Sequence, residues 1–273
     1  MIDKFAWLNA ALFAIQLALN RFLGSHIKSA SQRHKTLITP SPYAFSIWGF
    51  IYSMMTLTVV MDCVFPGLSF YSTSTYPRIL RSLFAITCVA NSLWLIVFTN
   101  DYVHSATFLI IVLWSCLLYL YGHIMLQWKR GSFTWNRYIG SELSIVLYFA
   151  WTSAALLISI AMSLQEIKGA FLSLELYIVL LSIFIFAGTY TYSQLHNTAY
   201  TLVVLWALAA LAVRSDIDGL DGTKGYGIRA CAKQGIVLIC LAFAFSWVQR
   251  SLSWMSWIPL LMCVAVLVRY QLF

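Results

Sequence analysis

Residues 39–52, Thr-Pro-Ser-Pro-Tyr-Ala-Phe-Ser-Ile-Trp-Gly-Phe-Ile-Tyr, place two prolines directly ahead of an aromatic-rich apolar segment. Proline tolerates the first turn of a helix but cannot continue one from upstream, so Pro40 and Pro42 fix where a helix begins. Phe45, Trp48 and Tyr52 then follow at steps of three and four, which puts their rings on one helical face. Such a face can hold a flat, greasy ligand. The helix it belongs to, over 43–65, is long enough to cross a bilayer.

Working outward, the rest of the chain has the same character. Of its 273 residues 61% are hydrophobic and 10% charged, with a mean hydropathy of +0.82, whereas soluble domains are about 25% charged. The expected fold is therefore all-α, a polytopic transmembrane helical bundle, because each backbone amide in hydrocarbon must be satisfied within its own helix. Nine spans are predicted, at 5–23, 43–65, 82–99, 105–127, 141–164, 174–194, 198–213, 234–249 and 254–272. The seventh and eighth are short, so eight or seven spans also fit. The longest connections, 24–42 and 214–233, leave no room for a soluble domain, so any site lies among the helices or at their mouths.

The first span has the length of a signal peptide but lacks a basic leader and a small-x-small cleavage site, and it is expected to be retained. The six cysteines are scattered singly, without zinc or redox spacing. A formal charge of +8 fits basic residues that orient helices rather than a nucleic-acid interface, and the lipid bilayer is the expected partner. Ten of the 17 basic residues fall on the side of the first connection, which makes that side and the C-terminus cytoplasmic by the positive-inside rule. The host membrane cannot be read from the sequence.

Acids inside the spans are few. Asp62, Glu142 and Glu175 are expected at helix ends, as interfacial charges, which argues against a proton pump or voltage-gated channel. The five histidines lack metal-ligand spacing, and no catalytic triad, phosphate loop or carboxylate pair is present. Gly219, Gly222, Gly225 and Gly227, with Asp216, Asp218 and Asp221, match a calcium loop only loosely, since its bidentate acid is missing, and 214–233 reads as a flexible connection. No catalytic residue, metal or obligatory cofactor is expected.

What remains is polar and aromatic residues at helical spacing. Asn91 and Trp94 share a face of the third span, and a carboxamide in hydrocarbon needs a partner. Tyr148, Trp151 and Ala155 line up on the fifth span, where Ala150 and Ala154 permit close helix approach. Three helices thus each present an aromatic face, although aromatics at 16% of the chain also populate helix contacts and interfaces by default.

Pro40, Phe45, Trp48 and Tyr52, then Asn91-x-x-Trp94, then Leu147-Tyr-Phe-Ala-Trp-Thr-Ser-Ala-Ala155, resemble the successive signatures of the TspO/MBR family, the tryptophan-rich sensory proteins related to the translocator protein. In that family they lie on the second, third and fifth of five helices, as here. The resemblance covers residues 5–165, and Asn197-Thr-Ala-Tyr-Thr-Leu-Val-Val-Leu-Trp-Ala-Leu is similar to extended members with additional C-terminal helices. It implies a five-helix domain over 1–165 followed by extra helices over 166–273.

The resemblance further implies a cavity under the first loop that binds porphyrins, haem-type tetrapyrroles, sterols or synthetic aromatic ligands. Trp48, Asn91, Trp94, Trp151 and Ala155 would line it, with Pro40 at its rim and Phe45, Tyr52 and Tyr148 alongside. A tetrapyrrole would stack on Trp48 and Trp151 and direct its carboxylates to Lys28, Arg33, His34 or Lys35. There are departures: the double proline is Thr39-Pro40, the tryptophan before the second helix is Pro42, its Gly-Pro is Phe45-Ser46, and the asparagine of the fifth helix is Ser159. The aromatic-basic pattern associated with cholesterol does not follow, so porphyrin fits better than sterol. The expected function is a sensor, carrier or regulator that binds a hydrophobic planar ligand, with a homodimer among the assemblies open to it. A permease that moves a small solute without binding tetrapyrroles is the alternative, and an enzyme modifying a tetrapyrrole lacks an acid-base pair.

Overall fold

The computed structural model describes residues 3–214 and 218–248, and all its regular elements are helical. They are α1 (Lys4–Arg33), a 3₁₀ turn (Pro42–Ser46) leading into α2 (Ile47–Val64), α3 (Pro77–Thr99), α4 (Val103–Lys129), α5 (Trp135–Lys168), α6 (Leu174–Leu195), α7 (Thr198–Ala212) and α8 (Asp218–Val248). Seven of these are long and apolar enough to cross a membrane. α7 is apolar but has only 15 residues, about 22 Å of helix against a hydrocarbon core about 30 Å thick. The eight helices follow the first eight expected segments in order. The span expected at 254–272 lies outside the described residues.

Local chemistry sets the ends. Asp3 caps α1 by accepting the Phe5 N–H at 3.0 Å, and Asn197 caps α7 by accepting the Tyr200 N–H at 3.1 Å. Pro77 opens α3. His196 closes α6 in the left-handed region, with φ 51.

Two expected loops are in fact helical. The connection expected to begin at residue 24 starts only after Arg33, because one glycine costs a helix about 1 kcal/mol and the residues from Ser25 to Arg33 contain no proline. The stretch 214–233, read as flexible, is helical from Asp218 onward despite its glycines. Packing accounts for one of them: a Cβ on Gly227 would sit 3.0 Å from a Leu174 methyl. That close approach favours the absence of a side chain.

The chain divides into two compact units. The first combines the residues up to His34 with Ser46–Ser159, and so holds α1 to α4 and most of α5. Here α3 packs against α1 and α4, while α2 packs against α1 and the turn that begins α5. That turn, Tyr138–Glu142, is a π-turn, and Gly140 lets the Met61 side chain approach to 3.5 Å of its Cβ position.

The second unit combines Lys35–Phe45 with the residues from Ile160 on. In it α6, α7 and α8 pack on one another. Small residues bring them together: a Cβ on Gly188 would stand 2.8 Å from Val204 Cγ1. The segment 35–45 is fastened by its backbone. Arg214 Nη1 donates to the Thr36 and Thr39 carbonyls at 3.0 and 2.5 Å, and Ser41 N donates to Ala210 O at 3.2 Å. Trp206 Nε1 donates to Ala44 O at 2.9 Å, with the Tyr43 ring edge-on to Trp206, and Gln165 Nε2 donates to Lys35 O at 3.1 Å.

Candidate functional site in the first unit

The interior of the first unit gathers side chains from four helices. Trp48 and Tyr52, one turn apart on α2, stack with centroids 5.2 Å apart. Trp48 meets Tyr148 of α5 edge to face at 5.8 Å and Trp151 at 6.4 Å. Tyr148 and Trp151 are buried, whereas Trp48 and Tyr52 are half-buried. Edge-to-face pairs of this kind are worth about 0.5–1.5 kcal/mol beyond area burial. Phe13 of α1 approaches the Tyr52 ring at 6.4 Å and adds a further aromatic side chain to the cluster.

From α3, the buried Asn91 donates Nδ2 to the Tyr148 hydroxyl at 2.9 Å, so the carboxamide in the expected third span finds its partner on α5. Its Oδ1 makes no hydrogen bond, nor does Trp94 Nε1. Trp94 shares the α3 face but stacks on Phe98 at 5.1 Å rather than joining the Trp48 cluster. Ala155 is half-buried one turn beyond Trp151.

The first span, expected from its hydropathy, also contributes an interior polar residue that was not among the expected site residues. Gln16, fully buried, brings its carboxamide to the Tyr52 and Tyr148 hydroxyls, although neither Nε2 nor Oε1 makes a hydrogen bond of ordinary geometry. One turn on, Asn20 donates to the Tyr52 hydroxyl at 2.7 Å. Each orphaned buried polar atom costs about 1–3 kcal/mol. The criterion that singled out Asn91, a carboxamide inside an apolar segment, applies equally to Gln16.

The remaining candidates are placed differently. Pro40 is buried and Phe45 exposed, and both belong to the second unit. Lys28 and Arg33 lie on α1 rather than in a loop. Arg33 donates Nε and Nη2 to Asp101, at 2.8–3.0 Å, and His34 Nε2 lies 2.8 Å from the same carboxylate. These hydrogen bonds, the Arg33 pair first, hold the exposed Asp101 carboxyl below its ordinary range. Lys35 is half-buried in the second unit.

At the other end of the first unit, the acids expected at the interface are buried. Asp62 receives Arg81 Nε at 2.7 Å and Nη2 at 2.8 Å and the Ser69 hydroxyl at 2.5 Å, and Arg81 also reaches Asp3 and Ser72. Glu142 accepts from Arg137 Nε at 2.5 Å and Trp128 Nε1 at 2.7 Å. Their burial follows from pairing, which makes an ion tolerable away from water.

Helix lengths, hydropathy and a polar-aromatic interior drawn from α1, α2, α3 and α5 define an integral, multi-pass helical membrane protein. Over residues 5–246 the chain matches the family of TSPO-like proteins, and it belongs to that family. No curated protein and no solved structure matches it.

Proposed function

We propose that the protein binds a hydrophobic planar ligand, a porphyrin or related tetrapyrrole before a sterol, among the helices of its first unit, and acts as a sensor, carrier or regulator. The observation that carries this reading is the meeting of Trp48, Tyr148 and Trp151, from two separate helices, around a buried asparagine. Broad apolar ring faces suit a macrocycle, and the orphaned amide atoms beside them suit a ligand with polar groups of its own. Arg33 and His34 engage Asp101, so a ligand carboxylate would have to compete with that acid or turn to Lys28. The Arg33 side is assigned to the cytoplasm by the excess of basic residues there.

The test is tryptophan fluorescence of purified protein in detergent titrated with protoporphyrin IX. Saturable quenching that is lost in Trp48→Ala/Trp151→Ala is the expected result. Quenching unaltered by that double substitution would remove the site from consideration. Uptake of a small solute by proteoliposomes, with no porphyrin affinity, would favour a permease.

A further inference from the structure

Two contacts set the height of α1 against α3. Asn9 Nδ2 donates to Arg81 O at 3.1 Å near one end, and Arg33 donates to Asp101 at the other. From Arg81 to Thr99, α3 covers about 27 Å, close to the thickness of the hydrocarbon core. Arg21 lies midway between Asn9 and Arg33 in sequence, about 18 Å of helix from each, and so near the middle of the bilayer. Its side chain is exposed and makes no hydrogen bond or ion pair among the described residues. α1 contains no acidic residue from Lys4 to Arg33, and Asp101 is engaged by Arg33 and His34. An exposed arginine at that depth is costly, and it marks a site of function.

The residues around it indicate what it holds. Ser25 and Lys28 follow Arg21 at steps of four and three, and Ala18 and Ala14 precede it at steps of three and four, so all five share one exposed face of α1. We infer that this face binds an anionic phospholipid from the leaflet on the Arg33 side, its phosphate held by Arg21, Ser25 and Lys28 and an acyl chain laid over Ala14 and Ala18. The arginine stem lets the guanidinium rise toward the headgroups, and its planar fork matches two phosphate oxygens. The alanines leave a shallow track beside the exposed Phe22 ring. Two cations with no acid beside them favour an anionic headgroup, since a zwitterionic one brings an ammonium that nothing on this face would receive. A second copy packed here by two-fold symmetry would set Arg21 and Lys28 against their own equivalents, which like charge opposes. Phe13 and Gln16 are buried on the opposite side of α1, so the lipid site stands apart from the interior cluster and from the ligand proposed for it.

The experiment titrates full-length protein in detergent with palmitoyl-oleoyl phosphatidylglycerol or with phosphatidylcholine of the same acyl chains, and reads lipid adducts by native mass spectrometry. Wild-type protein is expected to bind the first phosphatidylglycerol about tenfold more tightly than phosphatidylcholine. In Arg21→Gln that preference is expected to fall to about threefold or less, with phosphatidylcholine binding unchanged. Arg130→Gln, which removes an exposed charge at the far end of α4, is expected to keep the wild-type preference. Equal affinity of wild-type protein for the two lipids overturns the inference, and that comparison needs no variant to fold. So does a preference that survives Arg21→Gln, or one that falls equally in Arg130→Gln, as diffuse attraction to net charge would give. Loss of a dimer in Arg21→Gln with the lipid preference intact would assign the face to a second copy and end the lipid reading.

Discussion

Arg81 and Asp62 form a two-point ion pair inside the first unit, Nε to Oδ2 at 2.7 Å and Nη2 to Oδ1 at 2.8 Å, with neither side chain more than 4% exposed. The pair ties the start of α3 to the end of α2. Removing one partner strands the other charge, so Arg81→Leu should destabilise the protein by about 3–5 kcal/mol. The double variant Asp62→Leu/Arg81→Leu should recover part of that loss. Thermal unfolding in a fixed detergent compares the two, and equal loss in both would show that the partner charge is not what matters.

Replacing Gln16 by leucine should raise the melting temperature of the ligand-free protein, by an amount equivalent to about 1 kcal/mol. Two unpaired polar atoms would give way to a side chain of similar volume. A lower melting temperature would indicate that the amide is bonded in the ligand-free protein.

Asn91 and Tyr148 should couple. Tyr148→Phe leaves Asn91 without any partner, whereas Asn91→Leu leaves only a hydroxyl that retains Gln16 beside it. The phenylalanine variant should be the more damaging, and a double-mutant cycle should return an interaction of about 0.6–2 kcal/mol. Additive losses would place the bond outside the stabilising set.

Acid should loosen the α3–α4 turn. Asp101 has a folded pKa below its unfolded value of about 3.9, so its contribution is fully present above that value and is lost as pH falls through the folded one. The melting temperature of wild type should therefore drop more steeply than that of Asp101→Asn as pH is lowered from 5 to 3. The difference should shrink in high salt, since the carboxylate is exposed.

Arg214→Met should release the 35–45 segment, because both the Thr36 and Thr39 carbonyls depend on its guanidinium. Faster amide hydrogen exchange confined to 36–44 is the expected readout. Unchanged protection would mean that the Trp206, Ala210 and Gln165 contacts suffice.

Long apolar runs made the helices legible, since in hydrocarbon the backbone has no alternative to a helix. Helix ends were less so. Gly24 and the glycines after Asp218 looked like breaks; a single glycine without a proline does not end a helix at Gly24, and at Gly227 the approach of Leu174 shows why a glycine sits inside one. The spacing of Trp48, Tyr52, Asn91 and Tyr148 marks a face on each helix, and the structure brings these side chains into contact. The pairing of Asp62 with Arg81 had no local signal, as it joins different helices across a loop. Arg214 was counted only as one more loop charge for the same reason, for its partners are main-chain carbonyls 175 and 178 positions away.

The stretch between α1 and α2 leaves and rejoins the first unit, yet its own hydrogen bonds run to α5, α7 and Arg214. Cutting the chain after α5 would therefore not yield a smaller version of the same protein. Such a fragment would keep Trp48, Trp94 and Trp151 and the Gln165 contact while losing the Trp206, Ala210 and Arg214 contacts to the linker before α2, so a minimal expression unit has to extend at least through Arg214.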